Sequence, residues 1–373
     1  MTSQDILETL IAFDTTSRLS NLSLITWVED YLANYGVTGR RVLSPEGDKA
    51  NFYATIGTGS AGGVVLSGHS DVVPVDGQDW TTDPYTLTQR GDKLYGRGTC
   101  DMKGFIACAL AAVPQMTSLK RPIHLALSYD EEVGCQGVAP MVAAIVEHLP
   151  PIEAVIVGEP TMMHLVTGHK GIGAFQTTVR GIPAHSSQTQ LGVSAVMVAA
   201  ELITQLMTIA EGLKARSDPD FEPPHTTLTV NTIHGGAAIN ILAEHCSFMW
   251  DVRAIPGDDA ATLLAEFEQF CMAKATQYSH PISIATEVIA NAPGLTPQDD
   301  NSAETLIRRL TGANNSGAAA FATEAGFFQG AGFDTVVFGP GDIAQAHQPD
   351  EFITLKQLAA CDTFLGSLVK HLS

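Results

Sequence analysis

Four segments of this chain place a possible metal ligand or catalytic carboxylate at or just beyond the end of a predicted β-strand. They are GGVVLSGHSD (Gly62–Asp71), IHLALSYDEE (Ile123–Glu132), EAVIVGEP (Glu153–Pro160) and DTVVFGPGDIAQAH (Asp334–His347). Packing does not explain why apolar, β-branched runs stop on His, Asp or Glu. Because sites in open α/β sheets lie where parallel strands end, these residues predict a site at that edge.

His69 and Asp71 stand two residues apart at the end of the first of these strands. In an extended chain, residues i and i+2 point to the same side. The imidazole can therefore bind a metal ion while the acid orients the ring from behind. Taken alone, the His-x-Asp pattern is explained better by a chance pair in a loop.

Three carboxylates each allow two interpretations. Asp101 opens a predicted helix, so it is either a helix N-cap or a carboxylate shared by two metal ions. Glu131 and Glu132 are adjacent acids that repel each other, so they are either solvated turn residues or are compensated by a cation. In the second case one glutamate binds metal and the other takes a proton from metal-bound water, whose pKa is about 7.

Two more residues, both following strands, complete a candidate set of two imidazoles and three carboxylates. The set is His69, Asp101, Glu132, Glu159 and His347. It offers one shared carboxylate and two terminal ligands for each of two ions. Mixed nitrogen and oxygen ligands favour zinc, with cobalt or manganese as alternatives, and the lack of thiolate ligands argues against a structural zinc site.

The elements that position these residues alternate between strand and helix up to about Glu159, which predicts a mainly parallel sheet covered by helices. From Gly171 to about Ile289 the order becomes β-α-β-β-α-β, the ferredoxin-like arrangement. We therefore expect a catalytic metal-binding domain of residues 1–170 and 290–373, with an inserted domain of residues 171–289. GTGSAG (Gly57–Gly62) leads into a strand, so we predict a hairpin there and not a dinucleotide site.

Composition narrows the class of protein. The net charge of −20 argues against nucleic acid or an anionic membrane as partner, since both need a basic face. The N-terminus MTSQDILETL lacks the pattern of a signal peptide, and none of the six cysteines forms a C-x-x-C pair. We expect a cytoplasmic protein with reduced cysteines.

Six motifs, read together, resemble the M20 family of dinuclear zinc amidohydrolases. They are GHSDVVPVDGQDW, YGRGTCDMKG, SYDEEVGCQG, GEPT, PAHSSQ and AHQPDE. Within the family they are most similar to the acetylornithine deacetylase group, over essentially the whole chain. The resemblance implies a zinc-exopeptidase-like α/β catalytic domain with an inserted lid and dimerisation domain. It also implies a homodimer with two Zn²⁺ per subunit, for which Co²⁺ can substitute.

The resemblance also implies a role for each matching position. One zinc would be held by His69, Asp101 and Glu159, and the other by Asp101, Glu132 and His347. Glu131 matches the general base and proton shuttle, and Asp71 matches the acid that orients the first histidine.

Four further positions match residues that meet the substrate. His185 in PAHSSQ resembles a lid histidine that stabilises the oxyanion, in several relatives across the dimer interface. Asn240 and Arg253 match lid positions that bind the substrate carboxylate. Glu324 in FATEAGFFQ resembles the residue that meets the free amino group of the substrate.

The expected reaction is hydrolysis of the amide of N2-acetyl-L-ornithine, a step of arginine biosynthesis. A related M20 enzyme acting on N-acyl amino acids, namely succinyl-diaminopimelate desuccinylase, an aminoacylase or a dipeptidase, would use the same metal set. A desuccinylase would need extra cationic contacts for a second acyl carboxylate. A non-catalytic binder would be favoured if Glu131 or a ligand were replaced, and none is.

Overall fold

A computed structural model of the chain describes residues 1–116 and 119–373. The chain forms two compact units. The first comprises Met1–Gly168, Pro297–Ala318 and Thr323–Ser373, and the second comprises His169–Thr296 and Ala319–Ala322. The second unit is therefore inserted in the first, and the catalytic and lid roles expected for the two units stay predictions.

Helices and strands follow one another along the whole of the described chain. The α-helices are α1 (Ser3–Ile11), α2 (Leu22–Ala33), α3 (Lys103–Ala112), α4 (Val138–His148), α5 (Ala195–Leu213), α6 (Ala260–Ala275), α7 (Ser302–Thr311), α8 (Ala325–Gly330) and α9 (Leu355–Leu372). The strands are β1 (Gly39–Leu43), β2 (Ala50–Ile56), β3 (Gly63–His69), β4 (Thr88–Arg90), β5 (Lys93–Tyr95), β6 (Ile123–Ser128), β7 (Ile152–Val157), β8 (Val166–His169), β9 (Gly171–Arg180), β10 (Thr227–Gly235), β11 (His245–Ala254), β12 (Ser283–Ala292), β13 (Gly317–Ala319), β14 (Thr335–Val337) and β15 (Phe352–Thr354). Short 3₁₀ turns occupy Val113–Gln115, Thr189–Leu191 and Ile343–Gln345.

The large sheet has the strand order β1-β2-β6-β3-β7-β14-β8-β13. Its four central strands, β6-β3-β7-β14, are parallel, and antiparallel pairs flank them. The expected α/β class is thereby confirmed. The hairpin predicted at Gly57–Gly62 is wrong, because β6 lies between the two strands that this turn connects. A glycine-rich turn shows where the chain reverses but does not show which strand becomes the neighbour.

The core of the first unit explains why its central strands are continuous apolar runs. Every residue of β3 and β6 is buried, as expected for strands that helices cover on both faces. Helix α3 is buried along almost its whole length and packs against α1 and α9. A 3₁₀ turn follows it directly from Val113.

The second unit is a four-stranded antiparallel sheet in the order β10-β11-β9-β12, with α5 and α6 packed on it. Its β-α-β-β-α-β order is the one expected from the sequence. By length and composition α5 could cross a membrane. However, Val198, Leu202 and Leu206 form a buried stripe against the sheet, which is the pattern of an amphipathic helix that packs one face on a sheet.

Candidate active site

The ends of three neighbouring parallel strands bring the first group of candidate residues to one edge of the large sheet. β3 ends on His69, which pairs in register with Ser128, the last residue of β6. Glu131 and Glu132 follow β6 in the next turn, and Glu159 follows β7. Parallel pairing thus gathers side chains that are far apart in sequence.

Asp101 contacts both candidate histidines. Its Oδ1 lies 2.9 Å from Nε2 of His69, and its Oδ2 lies 3.6 Å from Nε2 of His347. The N-cap of α3 is Met102, without a side-chain cap bond, so the alternative interpretation of Asp101 as a helix cap is wrong. A carboxylate whose two oxygens face two imidazoles has the arrangement needed to bridge two ions.

The remaining candidate ligands complete the cluster. Nε2 of His69 lies 3.8 Å from Oε1 of Glu159, and Nε2 of His347 lies 2.9 Å from Oε2 of Glu132. The side chain of Glu132 is only 6% exposed, which is not the environment of a solvated turn residue. All five candidate ligands therefore lie within one group of contacts.

The groups of ligand atoms that lie within 4.8 Å of one another differ from the expected pairing. One group contains His69, Asp101 and Glu132, and the other contains His69, Glu131 and Glu159. Glu132 thus approaches both histidines, and the predicted general base lies beside a predicted ligand. Which residues share which ion stays a prediction.

Asp71 is buried, and its carboxylate binds mainly to the turn that carries Glu131 and Glu132. Its carboxylate accepts the backbone N–H groups of Glu131 and Glu132 at 3.1 and 3.3 Å, and the Ser17 hydroxyl at 2.7 Å. Nδ1 of His69 lies 2.9 Å from the backbone carbonyl of Asp71 but 3.8 Å from its carboxylate. The ring is therefore oriented by the main chain of Asp71, and the carboxylate fixes the two glutamates.

The cluster has strongly perturbed electrostatics. Burial raises the pKa of Glu131 to about 8 and that of Glu132 to about 7, and neighbouring carboxylates add to both shifts. Burial also raises the pKa of Glu159 well above its usual value. Burial opposes protonation of His69, but the hydrogen bond to Asp101 and nearby negative charge outweigh it and raise the pKa of His69 well above its ordinary value.

This donor set fits a pair of divalent cations. Crowded, buried carboxylates can all be ionised only if positive charge compensates them. Imidazole nitrogens and carboxylate oxygens are also the ligands found at catalytic zinc sites. The arrangement can thus hold metal ions beside Glu131, the predicted general base.

Glu324 is fully buried in the first unit, and burial raises its pKa. Its carboxylate accepts hydrogen bonds from the hydroxyls of Ser67 and Ser128, the latter at 2.7 Å. A substrate ammonium would have to join or replace these donors, so the contact of Glu324 with substrate stays a prediction.

The second unit contains the other candidate substrate-binding residues, and it brings two of their loops together. The backbone N–H of Ser186 donates to the carbonyl of Asn240 at 3.0 Å, and His185 forms a β-bridge with Ile241. Nε of Arg253 lies 3.1 Å from Oδ2 of Asp251, and the Arg253 side chain is 43% exposed. The substrate-binding roles of these residues stay predictions.

Sequence reasoning gave no role to three residues that support the ligand loops. The carboxylate of Glu351 accepts the backbone N–H of Asp101 at 3.1 Å and pairs with Arg97 at 2.8 Å. Arg97 also donates to the side chain of Gln78, whose amide reaches the carbonyl of His347. Each of the three lies inside one of the six motifs quoted above. This position was the only sign in the sequence that they support the site.

Comparisons with known proteins match this chain to one group of proteins over nearly its whole length. A sequence profile described as Peptidase family M20/M25/M40 matches residues 65–371. The acetylornithine deacetylase of Myxococcus xanthus is 35% identical over 371 residues, which cover 97% of this chain and 95% of that protein. The acetylornithine deacetylase of Photorhabdus laumondii is 34% identical over 364 residues, which cover 96% of this chain and 93% of that protein.

Solved structures show the same fold at low sequence identity. The M20 family metallo-carboxypeptidase Sso-CP2 of Sulfolobus solfataricus has a TM-score of 0.77 at 17% identity, and the match covers 99% of this chain and 98% of that one. The aminopeptidase PepT of Bacillus cereus has a TM-score of 0.76 at 16% identity, with the same coverage of 99% and 98%.

Proposed function

The chain belongs to peptidase family M20/M25/M40, and we propose that it hydrolyses the amide of N2-acetyl-L-ornithine to L-ornithine and acetate, a step of arginine biosynthesis. Relatives named acetylornithine deacetylase support this substrate, because they match nearly the full chain. The observation that carries the chemistry is the contact of Asp101 with both His69 and His347. A carboxylate so placed suits a two-metal hydrolase.

We propose that the cofactor is a pair of Zn²⁺ ions per subunit, for which Co²⁺ can substitute. The proposed ligands are His69, Asp101 and Glu159 for one ion and Asp101, Glu132 and His347 for the other. Such a pair, when bound, polarises a carbonyl oxygen and lowers the pKa of a coordinated water to about 7.

The proposed proton transfers belong to Glu131. As general base it takes a proton from the attacking water, and as general acid it delivers that proton to the leaving amine. Two observations support the role. Burial, together with like charge, raises its pKa, which shows a carboxyl group whose protonation responds to its surroundings. Its backbone N–H is held by Asp71.

Substrate recognition is proposed for four charged and polar side chains. His185 would donate to the negative oxygen that forms during attack, which lowers the barrier electrostatically. Arg253 and Asn240 would bind the substrate carboxylate. The side-chain ammonium of ornithine needs an anionic partner, and Glu324 is our candidate.

For the second unit we propose the role of a lid that also forms a homodimer, and for the enzyme a cytoplasmic location. The substrate is a small N-acyl amino acid. The net charge of −20 disfavours nucleic acid and anionic membranes as partners. Sedimentation velocity of the full chain, alone and after replacement of exposed residues in β10, tests the dimer.

A substrate panel tests the reaction. Zinc-loaded and cobalt-loaded protein is incubated with N2-acetyl-L-ornithine, N-succinyl-diaminopimelate, N-acetyl-methionine and a dipeptide, and the released amine is measured against a chelated control. We expect the highest kcat/KM for acetylornithine and no turnover after chelation. A preference for the succinyl substrate would instead identify a desuccinylase, and metal-independent turnover would refute the mechanism.

A further inference from the structure

His347 is held in an unusual way for a metal ligand. Its φ angle is +64°, in the left-handed region that costs free energy for a residue with a Cβ. Its side chain is 55% exposed, so packing does little to fix it. The 3₁₀ turn Ile343–Gln345 precedes it, and no strand or helix contains it. Some other contact must therefore keep this imidazole directed at Glu132 and Asp101.

That contact comes from Gln78. Its Nε2 donates to the backbone carbonyl of His347 at 2.8 Å. Its Oε1 accepts from Nη2 of Arg97 at 2.5 Å and from Nε1 of Trp80 at 3.0 Å. The arginine and tryptophan groups can only donate, so they fix the orientation of the amide and direct its N–H groups to the carbonyl.

The side chain that holds Gln78 belongs to a buried ion pair. Arg97 is only 1% exposed and pairs with Glu351, which is equally buried, at 2.8 Å. The other oxygen of Glu351 accepts the backbone N–H groups of Cys100 and Asp101. One buried ion pair thus connects the loop that carries Asp101 with the residue that holds His347.

We propose that Gln78 is a positioning residue that keeps His347 directed at Glu132 and Asp101. It thereby sets the affinity for the metal ion that these three residues are proposed to hold. The inference rests on the proposed metal ligands. Partners that orient ligands from behind typically change metal affinity about 10–100-fold when they are removed. Gln78 touches neither substrate nor metal in this scheme, because it acts only through the main chain of His347.

Two substitutions separate this role from mere support of Arg97. Gln78→Ala removes both contacts of the side chain. Gln78→Glu keeps an acceptor for Arg97 and Trp80 but loses the donor to the carbonyl of His347. Gln89→Ala is the matched control, because Gln89 is exposed in β4 and its amide donates to the carbonyl of Gly91. Thermal unfolding establishes that all three variants fold.

Zinc binding is then measured by competition with a chromophoric chelator. We expect two equivalents in the wild type and in Gln89→Ala. In Gln78→Ala and Gln78→Glu we expect one zinc ion to bind with unchanged affinity. The affinity for the zinc ion at the His347 site should be weakened about 10–100-fold. In metal-free protein, amide hydrogen exchange around residues 343–350 should be faster in both Gln78 variants only.

The outcomes distinguish the inference from the proposed function. The inference would be overturned if Gln78→Glu bound two zinc ions with the affinities of the wild type and showed unchanged amide hydrogen exchange around His347. The proposed function would then stay intact. A wild-type protein that binds no pair of zinc ions would overturn the proposed function, and the inference would fall with it.

Discussion

His124 provides a test of the fold that does not depend on activity. It lies fully buried in β6, and its Nδ1 lies 2.9 Å from the hydroxyl of Thr55. Its Nε2 has no hydrogen-bond partner among the residues that the structure describes. Burial lowers the pKa of His124 to about 4, so the native protein keeps the ring neutral under mildly acidic conditions.

The sign of the pH effect follows from this lowered pKa. The unfolded chain protonates His124 near its ordinary pKa of about 6.5. Between pH 6.5 and pH 4 only the unfolded state binds this proton, so the free energy of unfolding falls as the pH falls. A shift from about 6.5 to about 4 corresponds to a loss of about 3 kcal/mol, at about 1.4 kcal/mol per unit. This contribution is complete above pH 6.5 and changes no further below pH 4.

The assay compares wild type with His124→Gln, which keeps a polar group near Thr55 but does not titrate. Urea unfolding is followed by circular dichroism at several pH values from 7.5 to 4.5. The stability advantage of the wild type should shrink by up to about 3 kcal/mol over this range, because the other titrating groups are common to both proteins. Parallel pH profiles for the two proteins would refute the reasoning.

The remaining predictions concern the site directly. Glu131→Ala should retain both metal ions but lower kcat by about three orders of magnitude. Both kcat and metal content are measured, and activity equal to the wild type would refute the role of Glu131. His185→Ala should lower kcat without loss of metal, and a fall in metal content would contradict a lid role. Gly158→Ala should destabilise the first unit by about 1–3 kcal/mol in urea unfolding, because the new Cβ would overlap the ring of Phe105. Unchanged stability would contradict this packing.

The sequence predicted the elements that have strong local patterns. The runs that became β3, β6 and β7 are apolar and bounded by polar residues, so their ends could be placed beside the candidate site residues. Helix α5 is the first helix of the expected β-α-β-β-α-β order. Its buried stripe repeats with helical spacing, which is visible without knowledge of its neighbours.

Features that depend on distant pairings were not predictable in this way. The insertion of β6 between β2 and β3 requires a partner from another part of the chain. Likewise, β15 pairs with β5, and this pairing brings Glu351 to the loop before α3. In a sequence, Arg97 and Glu351 look like surface charges, because nothing local shows that each will be buried against the other.

The adjacent glutamates Glu131 and Glu132 have different surroundings although they are residues of one type. Asp71 accepts both of their backbone N–H groups, so the turn that carries them is held at two successive residues. Their side chains then reach different partners: Glu131 accepts from the thiol of Cys135 at 3.3 Å, whereas Glu132 faces His347. Of the two, Glu132 is the one whose carboxylate lies at hydrogen-bond distance from an imidazole of the cluster, and this contact supports its proposed assignment as a ligand. The proposed roles of ligand for Glu132 and general base for Glu131 therefore depend on the direction of each side chain and not on its chemistry.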